Sequence, residues 1–284
     1  MITKERLKEK SIELDIPFKN LLSAVVCEGI LEIISQGKYC NELYLCYVDG
    51  FTEDNYRKNP VTEIYFEYER DLDEKMAYLY MRDILKHLIA NGASHGFSIE
   101  GQVEEGKISL KIYLKEMYVL INLFMSKHIG KTDKDYVEIK QVAYENRVIK
   151  ILVNSKEEEL CQHLIEILTK LELINDMDHY YYLYLILQKY PINGRKVHDR
   201  LKELLEENRI VADEKRLKTI GSYRDYTYLK KKWKVELRQK KVSEPQWSDT
   251  VDCLYGFLGP IWNSLIKEVV FLGDWMPGLK RFLD

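Results

Sequence analysis

Proline is scarce in this sequence, 6 residues in 284, and glycine is modest at 14. That scarcity excludes collagen-like repeats, low-complexity linkers and a turn-rich all-β sandwich. An excess of one charge is also missing. Lys+Arg number 43 against 46 Asp+Glu, for a formal net charge of −3. This excludes a strongly basic nucleic-acid packer and a halophile-like acidic surface. Cysteine occurs five times (Cys27, Cys40, Cys46, Cys161, Cys253), an odd number at wide spacings without a CxxC pair. The pattern argues against a structural zinc site or a disulfide framework and fits a reducing compartment. No stretch approaches the roughly 20 uninterrupted apolar residues of a membrane span. The charged start Met1-Ile2-Thr3-Lys4-Glu5-Arg6 lacks a signal peptide's apolar core. These absences predict a cytoplasmic protein with no membrane partner.

What is present is ample core material, 46% hydrophobic against 31% charged residues, enough to exclude disorder. At roughly 150 residues per domain, the length predicts two domains. Leu7, Ile12 and Leu14 mark a short surface helix. Phe18, Leu22, Val25, Val26, Ile30, Ile33 and Ile34 recur at steps of three and four, the stripe of an amphipathic helix, with Gly37 as a left-handed cap. Strands are predicted at 43–48, stopped by Asp49-Gly50, and at 63–69. There, alternation sets Glu63, Tyr65, Glu67 and Glu69 on one face and Ile64, Phe66 and Tyr68 on the other. A helix through Met76, Leu79, Tyr80, Ile84 and Leu88 follows, then strands at 96–103, 107–114 and 148–153. Residues 1–153 thus read as mixed α/β, a small mixed sheet with helices, and 154–284 as helical. Ser155 with Glu158 is a capping-box pattern opening the Leu160, Leu164, Ile167, Leu168 stripe. An aromatic helix from Asp176 to Tyr190 ends at Pro191, and further helices run up to Gly259-Pro260.

The order of these segments resembles the AbiEii/AbiGii abortive-infection toxin family, proteins of nucleotidyltransferase fold. Two stretches carry the likeness. The first is Ile12-Glu13-Leu14-Asp15-Ile16-Pro17-Phe18 with the long helix, Ile34-Ser35-Gln36-Gly37-Lys38-Tyr39 and the strand Leu43-Tyr44-Leu45. The second runs from Leu164 to Pro260, through Met177-Asp178-His179-Tyr180-Tyr181-Tyr182, the Lys-flanked Trp233 and Phe257-Leu258-Gly259-Pro260. The resemblance implies a nucleotidyltransferase-like domain followed by a helical one, a bacterial toxin–antitoxin or phage-defence setting and a separate antitoxin as protein partner. It also implies two-metal nucleotide transfer: a Gly-Gly or Gly-Ser turn approaching the triphosphate, an Asp-x-Asp for Mg²⁺, a third acid, a helical Lys and a Lys-Asp-Tyr-Tyr-Asp segment. This sequence departs at nearly every one of those places, keeping one acid as Glu63. The turn is Tyr47-Val48 and the acid pair is Glu63-Ile64-Tyr65. The third-acid strand Lys107-Ile108-Ser109-Leu110-Lys111-Ile112-Tyr113 carries no acid, the helical Lys aligns with His163, and the last segment reads Asp178-His179-Tyr180-Tyr181-Tyr182. Tyrosine is a poor Mg²⁺ ligand. The expectation is a retained fold without its metal site, needing no cofactor and acting by protein or RNA binding. The alternative is an active enzyme using Mg²⁺ and a nucleoside triphosphate on RNA or protein.

Five clusters have two readings each. Glu63, Glu67 and Glu69 are the candidate catalytic or metal-binding acids, or the solvated face of a strand. His163 and His179, near Asp176 and Asp178 on helices expected to be neighbours, offer acid–base or metal chemistry, or are structural. The run 229–241 holds seven cations against one Glu. Lys230, Lys231, Lys232, Lys234 and Arg238 are its candidate nucleic-acid contacts, in a third function class of RNA- or DNA-binding module; otherwise the run is solvated helix. Tyr180, Tyr181, Tyr182 and Tyr184 stack on bases or pack a core. The apolar tail with Trp262, Ile266, Val269, Val270, Phe271, Trp275 and Phe282 either folds back or meets a partner.

Overall fold

The computed structural model describes residues 3–128, 134–144, 146–240 and 242–283. It divides into two compact units, Met1–Asn154 and Ser155–Asp284, in a mixed α+β layout.

The first unit runs α1 (Lys4–Glu13), α2 (Phe18–Gln36), β1 (Leu43–Leu45), α3 (Glu53–Lys58), β2 (Glu63–Tyr68), α4 (Glu74–Gly92), β3 (Ser98–Glu104), β4 (Lys107–Leu114), β5 (Met117–Lys127), β6 (Lys134–Lys140) and β7 (Val148–Asn154). β1-β2-β5-β4-β3 form a five-stranded sheet. Among the described residues, β2 and β5 alone pair in parallel, with Tyr65 beside Phe124. The antiparallel β6–β7 hairpin stands apart.

β2 alternates as its sequence dictates. Ile64, Phe66 and Tyr68 are buried, while Glu63, Tyr65 and Glu67 face the other side. α2 departs from the expected one-sided stripe, since fourteen of its nineteen residues are buried, Asn20 and Glu28 among them. α1, α3, α4, β5 and β7 all pack on it, so polar positions that periodicity would expose lie inside. Gly37 is extended (φ −95°, ψ −172°) and not left-handed. Its missing side chain serves a close approach instead, for a Cβ there would sit 2.2 Å from His87 Nε2. β1 stops at Leu45, short of the predicted Val48, because Tyr47 takes a left-handed conformation and Val48–Gly50 coil into a 3₁₀ turn.

The second unit runs α5 (Lys156–Lys170), α6 (Asp178–Lys189), β8 (Ile192–Asn193), α7 (Gly194–Glu207), α8 (Glu214–Ser222), α9 (Thr227–Gln239), α10 (Trp247–Ile266), β9 (Asp274–Met276) and β10 (Arg281–Leu283). Ser155 Oγ accepts from the Glu158 N–H at 3.1 Å, capping α5. The buried Glu158 carboxylate accepts from Arg200 Nε at 2.8 Å. α10 does not end at Gly259-Pro260 but continues to Ile266 with Pro260 inside. Pro260 is exposed, and Leu258, Ile261 and Trp262 around it are buried, so core packing carries the helix past the missing N–H. The tail folds back: β9 joins β8 and β10, and Trp275 Nε1 donates to Leu187 O at 2.8 Å. Val269, Val270 and Leu272 of the same tail stay exposed. No helix among the described residues is long and apolar enough to cross a membrane.

Candidate functional site

β2 presents the three candidate glutamates, and the structure gives each to a different partner. Glu63 Oε2 accepts from the Tyr65 hydroxyl at 2.6 Å. Glu67 Oε2 meets His128 Nδ1 at 2.7 Å and Asn154 Nδ2 at 2.8 Å. Glu69 Oε1 accepts from the Tyr44 hydroxyl at 2.5 Å, and Lys134 Nζ lies 3.5 Å from Oε2. Four residues of extended chain separate Glu63 from Glu67, roughly 13 Å along the strand. Among the described residues, no three His, Cys, Asp or Glu side chains are placed to hold a metal ion.

After β1 the chain turns at Tyr47-Val48. Tyr47 there has φ 55°, ψ 46°, a conformation ordinarily left to Gly. Its ring is half exposed and meets Tyr65 edge-on, with centroids 5.4 Å apart. Tyr65 in turn stacks on Phe124 at 4.8 Å and 12° between planes. The three rings form a continuous aromatic patch on this face of the sheet. Further along, Lys111 Nζ lies over the Tyr113 and Tyr118 rings at 5.0 and 4.8 Å, and Tyr118 and Leu120 are exposed. Phe124, His128 and Asn154 escaped the sequence reading. Phe124 sits on β5, a strand apolar on both sides, and only the parallel register brings it beside Tyr65. The acidic alternation of β2 gave no hint that His128 and Asn154 would claim Glu67.

In the second unit, α9 buries Leu229, Trp233 and Leu237. Lys230, Lys231, Lys234 and Arg238 are exposed, within an arc of about 100° at 3.6 residues per turn. Lys232 is not among them. Its Nζ donates to Ile174 O at 2.6 Å and Asn175 Oδ1 at 3.1 Å. Lys240 pairs with Asp178 at 2.5 Å. Lys241 lies outside the described residues. His163 and His179 do meet, Nδ1 to Nδ1 at 3.1 Å. Burial, with His179 beside it, holds the His163 ring down to a pKa of about 4. Of the tyrosines on α6, Tyr180 is fully buried, while Tyr181, Tyr182 and Tyr184 are partly so.

The fold these units define is an α+β one with a mixed sheet and a separate helical unit. No family model matches the chain, and no curated protein matches it. Among solved structures it is similar to JHP933 from Helicobacter pylori, with a TM-score of 0.43, 10% identity and 95% of each chain covered.

Proposed function

We propose that this chain is a nucleotidyltransferase-like protein that works by binding, its sheet face stacking on the bases of single-stranded RNA. The setting proposed is a bacterial toxin–antitoxin or phage-defence system, with a protein partner. The observation that carries the reading is the Tyr47–Tyr65–Phe124 patch, which lies where a triphosphate and its metals would need room. Base–aromatic stacking is worth about 1–3 kcal/mol per base and tolerates any sequence. Lys111 offers a cation on the same face for the phosphates.

The left-handed turn at Tyr47 favours one other reading, an active Mg²⁺-dependent nucleotidyltransferase, because that backbone is the one a glycine turn would use. Two measurements separate them. In fluorescence anisotropy with a labelled mixed-sequence RNA, Tyr47→Ala should weaken binding by about 5-fold or more. In calorimetry with each nucleoside triphosphate plus Mg²⁺, the wild type should show no saturable sub-millimolar binding. A micromolar triphosphate site abolished by Glu63→Gln or Glu67→Gln would replace the binding reading with the transferase one.

A further inference from the structure

The first unit contains a polar cavity of about 360 Å³ whose lining includes none of the residues of the aromatic patch. Gly29 and Glu32 of α2, His95 of the turn after α4, and Gln141, Tyr144 and Arg147 of the β6–β7 turn line it. The cavity is built rather than incidental. Glu28 and Glu32 lie one helical turn apart on α2, and both hold the β6–β7 turn. Glu28 accepts from the Val142 N–H at 3.0 Å, and Glu32 Oε2 accepts from Gln141 Nε2 at 3.1 Å. The turn is closed on itself by Gln141 N–H to Arg147 O at 3.0 Å. Gly29 lets Phe97 close the floor, since a Cβ at Gly29 would lie 2.2 Å from the Phe97 ring.

Its lining offers both acceptors and a cation. Glu32 supplies a carboxylate, half-buried. Gln141 is 5% exposed, and its Oε1 is buried with no hydrogen-bond partner. The swapped amide orientation would turn oxygen against the Glu32 carboxylate, so the unsatisfied atom is the acceptor. His95 Nδ1 lies 3.2 Å from the Asn91 carbonyl and 3.0 Å from Ser94 Oγ, and its Nε2 lies 3.9 Å from Glu32 Oε2. The cation is the exposed Arg147 guanidinium, parked over the Tyr144 ring at 4.8 Å. At about 30 Å³ per water, the volume equals roughly a dozen waters.

We propose that this cavity binds a small zwitterion the size of a free amino acid. Its ammonium or guanidinium end meets the Glu32 carboxylate and the Gln141 carbonyl, and its carboxylate end meets Arg147. Nothing in this assignment depends on the RNA reading. The test is calorimetry on the full chain with L-arginine, L-lysine, agmatine (which lacks the carboxylate) and glutarate (which lacks the cation). At least one of the two amino acids should bind. Glu32→Gln and Arg147→Met should each weaken it by about tenfold or more, as expected for charge-assisted contacts. Agmatine should respond to Glu32→Gln alone, glutarate should be silent, and Tyr47→Ala should change nothing. The wild-type affinity ratio of L-arginine to agmatine reads the Arg147 contact without any substitution, even where Glu32→Gln fails to fold. No heat from either amino acid at millimolar concentration would overturn the assignment. So would agmatine binding as tightly as L-arginine, or variants that bind like wild type.

Discussion

Two buried ionisable side chains should tilt the stability profile in opposite directions. Burial raises the Glu28 carboxyl from 4.5 to about 8, against the pull of the Tyr56 hydroxyl and the Val142 N–H. Between those values the folded state holds a proton that the unfolded chain has lost. Glu28 therefore contributes stability that is complete below 4.5 and is lost as pH rises through 8. His163 is depressed from 6.5 to about 4, so across that window the unfolded chain takes up a proton that the native ring refuses. Its contribution is present above 6.5 and is lost as pH falls through 4. Across these windows Glu28 is worth on the order of 5 kcal/mol and His163 on the order of 3 kcal/mol. In urea titrations, the stability of Glu28→Gln relative to wild type should rise from pH 5 to pH 8 (roughly the Glu28 window). That of His163→Asn should rise as pH falls from about 6.5 to about 4. Flat differences would mean that neither group is perturbed. The Glu158–Arg200 pair makes a simpler case. Arg200→Met strands a carboxylate that is 2% exposed and should cost about 3–5 kcal/mol, while Glu158→Leu with Arg200→Met should recover most of it.

At the scale of elements, α9 carries the clearest expectation. Replacing Lys230, Lys231, Lys234 and Arg238 by Ala should reduce RNA affinity and flatten its salt dependence by about 0.7 per lost phosphate contact. The helix itself should survive, since Leu229, Trp233 and Leu237 hold it. Lys232→Ala should instead lower the melting temperature, because its ammonium ties α9 to Ile174 and Asn175. An RNA slope unchanged in the fourfold variant would assign the ridge to solvent. β2, β3 and β4 were legible from sequence because they alternate. β5 was not, because Tyr118, Leu120 and Phe124 make the face opposite Val119, Ile121 and Leu123 largely apolar as well, although Tyr118 and Leu120 are exposed. β8, β9 and β10 span two or three residues each, too short for any period. The glutamates at β2 could be read as a strand face from their spacing. Their partners could not, since Tyr44, His128 and Asn154 arrive from three separate segments.

For the whole molecule, the two hydrophobic clusters share no residue. One runs from Leu7 to Val153 and the other from Leu160 to Trp275. A fragment of residues 155–284, purified alone, should therefore show a helical circular-dichroism spectrum and one cooperative melt. A helical signal that decays without a transition would contradict this. The first unit is built differently in time. The parallel pairing of β2 with β5 sets Glu63 beside Asn122, 59 positions later in the chain. A polypeptide still emerging from the ribosome can form the β1–β2 ladder early, but the far edge of β2 stays bare until the stretch 117–127 is synthesised. An open edge bearing Ile64, Tyr65 and Phe66 is a template for a neighbouring chain. The pace of translation across the 59 positions separating these two strands then sets how long each nascent copy is exposed to mispairing with its neighbours.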